Sequence, residues 1–396
     1  MVNIKIFALA ALGKGLSGSD RIFIEFARRW QKNGNIIIYV NEEGREMCRR
    51  QNLQESQGLK YVIWKTPKKA KSQFLITYFY RVFRSIFESF KTKLVNSPET
   101  ILYSASEFWM DSLPAFILKI RYPKVIWAAS WYQTAPNPLV GFAEGKREKA
   151  YNFSAFLYFF AQLPVKPLVA NFSDCVLVNN EEERKKQFPR LNKLGRAIVV
   201  IGAIDLEGIR KWIKSHGKSK KTYDAVFQGR FHPQKGVVEL IEIWKKVVTI
   251  KPNSKLAMIG DGPLMGDVKE KIRNLKLSKN IKLFGYVFDG DEKYNIFSKS
   301  KIVVHPAFYD SGGMASAEAM AFELPCIGFD LESYRSYYPK GMIKVKIGDL
   351  KKFAETILDT LDNSQKRNRV GKEALTMIRK NWSWDKRASE VLELIK

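Results

Sequence analysis

Short apolar runs recur along this chain with helical stretches between them, and that alternation restricts it to folds built on parallel sheets. A first series falls at residues 5–12, 35–40, 101–103, 125–129, 175–178 and 197–201. A second falls at residues 225–228, 255–259, 281–284 and 302–304. The rhythm restarts near Ile204, so residues 1–203 and 204–380 read as two α/β, Rossmann-like parallel-sheet domains, their strand ends facing a cleft. The last helical stretch, within 381–396, is expected to pack back on the first domain.

At 396 residues the chain can build two cores, and 45% hydrophobic residues make it globular. Cys48, Cys175 and Cys326 are odd in number and unlike in context, so neither a disulfide framework nor a metal site is expected and a reducing cytoplasm is the simplest home. The opening apolar run reads as a first strand, not a signal peptide, because a glycine-rich turn and an amphipathic helix follow directly. No uncharged apolar run reaches the roughly 18 to 20 residues that cross a bilayer. The nearest, 151–165, is short and is interrupted by Asn152, Gln162 and Pro164.

The formal net charge of +27 calls for an anionic partner, whether nucleic acid, anionic lipid or a phosphorylated substrate. Residues 65–93 carry lysines and arginines against Glu88 alone, interleaved with phenylalanines and tyrosines. Leu75, Phe79, Val82, Ile86 and Phe90 recur at helical spacing, which predicts a helix with one apolar face lying on an anionic membrane surface. The basic residues elsewhere are spread over many helices without a recognised nucleic-acid motif, so a nucleic-acid-binding protein is the weaker alternative and no nucleic-acid partner is expected.

The densest chemistry lies in 303–329, VVHPAFYDSGGMASAEAMAFELPCIGF. A strand runs into a loop with Asp310, Gly312 and Gly313, then a helix from Met314 that carries Glu318, then a second strand. Two glycines let backbone approach a ligand closely, and the amides of Gly313, Met314 and Ala315 would point at an anion from the positive end of the helix. Asp310 and Glu318 could converge on neutral sugar hydroxyls beside it. Upstream, Arg230 and Lys235 follow the strand 225–228, where a guanidinium and an ammonium can clamp a diphosphate. Gly262 closes the next strand, and Gly285, Tyr286 and Val287 the third. In the first domain Gly13, Gly15 and Gly18 form a strand-to-helix glycine loop whose spacing is a weak dinucleotide fingerprint.

In this order, GRF, KGVVELIEIW, LAMIGDGPL, IKLFGYV and HPAFYDSGGMASAEAMAFELPCIG resemble the donor-site motifs of GT-B glycosyltransferases, specifically glycosyltransferase family 4. GKGLSGSDRIFIEFARRW and NWSWDKRASEVLELI are similar to further landmarks of that family. The resemblance implies a retaining transferase that needs no metal or other cofactor. It would move a hexose-type sugar from a UDP, GDP or ADP sugar to a lipid-linked or glycan acceptor, as a peripheral protein on the cytoplasmic face of the membrane. Arg230 and Lys235 then match the diphosphate-holding pair and Glu318 the ribose-binding acid. Asp310 stands where a glutamate usually faces the transferred sugar. Gly312, Gly313 and Met314 match amides at the sugar or phosphate, Tyr286 and Val287 the wall around the base, and Gly15 and Gly18 the loop of the first domain near the donor phosphates.

Two departures stand out: Asp310 is one methylene short, and Ala129-Ser130-Trp131-Tyr132 lacks the histidine many relatives place after that strand. His216, His232 and His305 lack metal-ligand spacing, and Asp289-Gly290-Asp291 reads as a solvated turn. A nucleotide-sugar epimerase of the same fold is the alternative enzyme.

Overall fold

The computed structural model describes residues 2–11, 16–67, 73–135, 153–217, 219–310 and 313–396. They fall into two compact units, one of residues before 141, Tyr151–Gly202 and Trp384–Lys396, the other including Ala203–Ser383.

The first unit is a seven-stranded sheet, wholly parallel, in the order β3-β2-β1-β4-β5-β6-β7. Its strands are β1 Val2–Phe7, β2 Gly34–Val40, β3 Leu59–Ile63, β4 Thr100–Ser104, β5 Ile126–Trp131, β6 Cys175–Val178 and β7 Ala197–Val199. The core gathers Phe7, Leu102, Trp127, Trp131 and Val176, all with no solvent exposure. After β1 the chain enters helix Gly18–Trp30, whose N-cap Ser17 forms a reciprocal capping box with Asp20. Helix Trp384–Ile395 packs against that helix: Trp30 Nε1 donates to Ala388 O at 2.8 Å and Arg29 Nε meets Asp385 Oδ1 at 2.9 Å.

The second unit is a six-stranded parallel sheet, ordered β10-β9-β8-β11-β12-β13. Its strands are β8 Tyr223–Gln228, β9 Leu256–Ile259, β10 Ile281–Gly285, β11 Ser300–His305, β12 Cys326–Phe329 and β13 Met342–Val345. Helix Val237–Ile250 buries Leu240, Ile241 and Trp244 into its core with Phe227, Met258 and Phe353.

Both sheets reverse their strand order once, between β1 and β4 in one and between β8 and β11 in the other. At such a point the crossovers leave on opposite faces, so the loops after the two central strands part and leave room for a ligand.

Candidate active site

In the second unit the switch point is built by backbone pressed on backbone. Gly236 has φ 61°, and a Cβ there would lie 2.0 Å from Pro306 O. Gly260 has φ 143°, and a Cβ would lie 1.9 Å from Gly229 O. Only glycine permits these approaches, and both draw the loops after β8, β9 and β11 together. Phe308 N donates to Gln234 O at 2.8 Å, sealing the turn Pro233–Lys235 to the loop after β11.

That seam carries Lys235 to Asp310, with Nζ 3.0 Å from Oδ1. Asp310 is buried and well supplied with donors: Gly313 N reaches Oδ1 at 3.1 Å and the Tyr334 hydroxyl reaches Oδ2 at 2.9 Å. His305 Nε2 lies 3.3 Å from Oδ2, and its ring stacks on Phe227 at 5.4 Å. Burial pushes the Asp310 carboxyl up, but the Lys235 ammonium, His305 and the Gly313 amide outweigh it and hold the group well below its ordinary value. Burial lowers the His305 pKa, partly countered by Asp310, which favours the neutral imidazole.

Gly313 differs from the expectation drawn from the sequence. Its amide is turned to Asp310, and its carbonyl accepts from the Tyr338 hydroxyl. Tyr338 is held in turn by Trp382, stacked at 5.3 Å and 4°. The loop is therefore braced from behind, and the amides of Met314 and Ala315 open the short helix Met314–Met320.

Glu318, one turn into that helix, is also buried. Its Oε2 accepts from Gln228 Nε2 at 2.8 Å and pairs with Lys293 Nζ at 2.6 Å. Lys293 also pairs with Asp289, so the Asp289-Gly290-Asp291 turn, though exposed at both acids, contributes a carboxylate to a buried ammonium. Lys293 was missed in the sequence because it lies outside the glycine-rich motifs; Gln228 stands directly before Gly229 in one of them but was given no role. A lysine beside the apolar Tyr294, Ile296 and Phe297 is the signal that could have found Lys293.

Arg230 follows β8 as expected and is exposed, with no hydrogen bond or ion pair to its side chain among the described residues. Gly262 has φ 156° with a Cβ position 2.6 Å from Phe231 O, a second tight seam. Tyr286 is 49% exposed and meets Phe288 edge-on at 4.9 Å. Val287 is turned inward and buried, so Tyr286 and Phe288, rather than Val287, offer a wall to a ligand. Gly15 and Gly312 lie outside the described residues. Gly18 is the exposed first residue of its helix.

At the switch point of the first unit, Asp111 Oδ1 accepts Leu9 N at 2.6 Å, and Arg81 donates to Ala11 O at 2.6 Å. These contacts fix the chain as it leaves β1. Burial pushes the Asp111 carboxyl up to about 8 and Glu107 up to about 7, the latter opposed by the Tyr158 hydroxyl that donates to it. Among the described residues no three His, Cys, Asp or Glu side chains cluster to hold a metal ion.

Two parallel-sheet units of this topology define the GT-B fold. Sucrose-phosphate synthase from Thermosynechococcus elongatus superimposes with TM-score 0.73 at 15% identity, over 100% of this chain and 98% of that one. HepE from Anabaena, solved with UDP and glucose, gives 0.70 at 12% identity, over 99% of each chain. Residues 208–377, within the second unit, match the family of glycosyl transferases group 1.

Among curated relatives, an uncharacterized glycosyltransferase of Methanocaldococcus jannaschii is 24% identical over 206 residues, 50% of this chain and 47% of its own. The UDP-Gal:alpha-D-GlcNAc-diphosphoundecaprenol alpha-1,3-galactosyltransferase of Escherichia coli is 29% identical over 139 residues, 33% of this chain and 35% of its own. The chain thus spans about half the length of the first of these and about a third of the second.

Proposed function

We propose that this protein is a glycosyltransferase that moves a hexose-type sugar from a nucleoside-diphosphate sugar to a lipid-linked or glycan acceptor, with retention of configuration and without a metal. The acceptor is met on the cytoplasmic face of a membrane. One observation carries the reading: Lys235, fixed 3.0 Å from Asp310 at the switch point of β8 and β11, stands in the same loop system as Arg230. Two cations there are suited to the charge that builds on a departing diphosphate. Asp310 keeps the ammonium in place, and it and Glu318 supply acceptors for neutral hydroxyls. The match of residues 208–377 supports the class, and the relative named for a diphosphoundecaprenol-linked substrate supports the lipid-linked acceptor.

The test begins with UDP, GDP and ADP sugars, scored by thermal stabilisation. A ligand at about a hundred times its dissociation constant adds roughly 2.7 kcal/mol. Arg230→Ala, Lys235→Ala and Glu318→Ala are then expected to abolish transfer while remaining folded. Undiminished turnover in Arg230→Ala and Lys235→Ala refutes the site. Sugar-nucleotide turnover that needs no acceptor would mark an epimerase instead.

A further inference from the structure

Helix Phe74–Lys91 is built inside out for a helix on a water-soluble domain. Its inward face, against helix Trp109–Arg121, is Thr77, Arg81, Val82, Ser85 and Ser89, all buried. The hydroxyls of Thr77, Ser85 and Ser89 donate to carbonyls of their own helix, so small polar side chains pack closely without stranding a polar group. Arg81 reaches past them to the backbone after β1, anchoring the helix in this orientation.

The outward face is aromatic. Phe74, Phe79, Phe83, Phe87 and Phe90 are 46% to 69% exposed, and Phe83 is the most exposed of them. The apolar stripe read from Leu75, Phe79, Val82, Ile86 and Phe90 thus points mostly away from the protein, with only Val82 buried.

A second helix extends this surface. Trp109 Nε1 donates to Ala161 O at 2.5 Å, and Phe108 bridges Tyr78 and Tyr158 with centroids 6.4 and 5.9 Å away, so helix Phe153–Gln162 meets the start of helix Trp109–Arg121, as the first helix does. It adds Phe160, 52% exposed, and Leu163 just beyond it is 50% exposed. Exposed apolar side chains in this number mark a contact surface. Lys91 Nζ sits 4.1 Å over the Phe87 ring, an ammonium at the edge of the apolar stripe, and Lys65 and Lys93 are exposed nearby in sequence.

We propose that this two-helix face docks into the interfacial layer of a bilayer rich in anionic lipid, with the phenylalanines among the acyl chains and the lysines at the headgroups. Charge decides the occupant. A second copy would bring a chain of net charge +27 against itself, whereas an anionic surface is attracted by it. No described helix is long and apolar enough to cross a membrane, so contact of this kind is peripheral. The inference deepens the membrane part of the function proposed above and rests on that part alone, since the sugar and the donor do not enter it.

The experiment is flotation of the full chain, without nucleotide sugar, with vesicles of phosphatidylglycerol and phosphatidylcholine and with vesicles of phosphatidylcholine alone. Binding is expected to the anionic vesicles and to weaken as salt is raised. The variant Phe83→Glu/Phe87→Glu should bind at least about tenfold more weakly for each phenylalanine removed from the apolar layer. Ile250→Glu, at an isolated exposed position 67% open to solvent, should bind as the wild type does. Nucleotide-sugar stabilisation read on the same variants keeps a failed surface distinct from a failed donor site. Absence of vesicle binding, binding indifferent to the two glutamates, or a concentration-dependent dimer that they dissociate would each overturn the proposal.

Discussion

Lys293 Nζ lies 2.6 Å from Glu318 Oε2, with the two side chains only 2% and 7% exposed. The pair ties helix Asp291–Ser298 to helix Met314–Met320, and Gln228 at the end of β8 completes the cluster. An ammonium out of water is tolerated here because Asp289 also pairs with it. Removing the cation leaves Glu318 buried and short of its partner. Lys293→Met is expected to destabilise the protein by roughly 3 kcal/mol, and Lys293→Met/Glu318→Gln to recover part of that. Urea unfolding of both variants decides the matter, and equal midpoints for the single variant and wild type would dissolve the coupling.

Gly236 offers a sharper perturbation. Its backbone is left-handed and a Cβ would be driven into Pro306 O, a rigid carbonyl with no side chain to yield. Gly236→Ala should separate the turn Pro233–Lys235 from the loop after β11 and lose the Lys235–Asp310 pair with it. A loss of at least about 1 to 3 kcal/mol is expected from the forced conformation alone, together with loss of donor stabilisation. Gly266→Ala is the control, since a Cβ there meets open space. Matching melting curves for the two variants would show that the seam gives way freely.

How much of this was legible in the sequence depends on where each residue's role is decided. Central strands such as β8 and β11 show as apolar runs because both faces are covered. The edge strands β3 and β13 do not, since Lys60 and Lys344 and half-open faces break the run. The glycines at 260 and 262 were legible as the end of a strand, but that their Cβ positions, like that of Gly236, run into the backbone of another loop shows only in the fold. The bracing of Asp310 by Tyr334 and of Gly313 by Tyr338 was not legible, since tyrosines 24 and 25 positions downstream of their partners meet them only through the fold. The helix Phe74–Lys91 was legible as an amphipathic helix, but periodicity alone cannot say which face is turned inward.

Asp310 sets an acid limit on stability. Its carboxyl is held well below its ordinary value in the folded protein, against about 3.9 in the unfolded chain. The unfolded state therefore binds the proton first as pH falls. The stabilisation is fully present above the unfolded value and is lost as pH drops through the folded one. In Lys235→Met the largest counterweight to burial is gone and the folded carboxyl rises. Acid unfolding of this variant should begin at a higher pH than in the wild type, followed by circular dichroism between roughly pH 6 and pH 2. Superimposable acid transitions would mean that Lys235 does not hold the charge.

Asp111 acts in the opposite sense. Burial raises its carboxyl to about 8, so between the unfolded value of about 3.9 and that point the folded state keeps a proton the unfolded state has released. Stability should therefore fall as pH rises across that window, by at most about 1.4 kcal/mol for each pH unit. Glu107, raised to about 7, adds to the same trend, so the informative quantity is the difference between two proteins. Asp111→Asn cannot ionise, yet it keeps an oxygen to accept from Leu9 N; Ser106 Oγ, which donates to Asp111 Oδ2, would turn its hydroxyl and accept from the new amide. Urea unfolding at pH 5 and at pH 8 should show a smaller loss of stability in Asp111→Asn than in the wild type. Equal losses would place the titration elsewhere and leave Asp111 ionised in the folded state, its charge carried by the amide of Leu9 and the hydroxyl of Ser106.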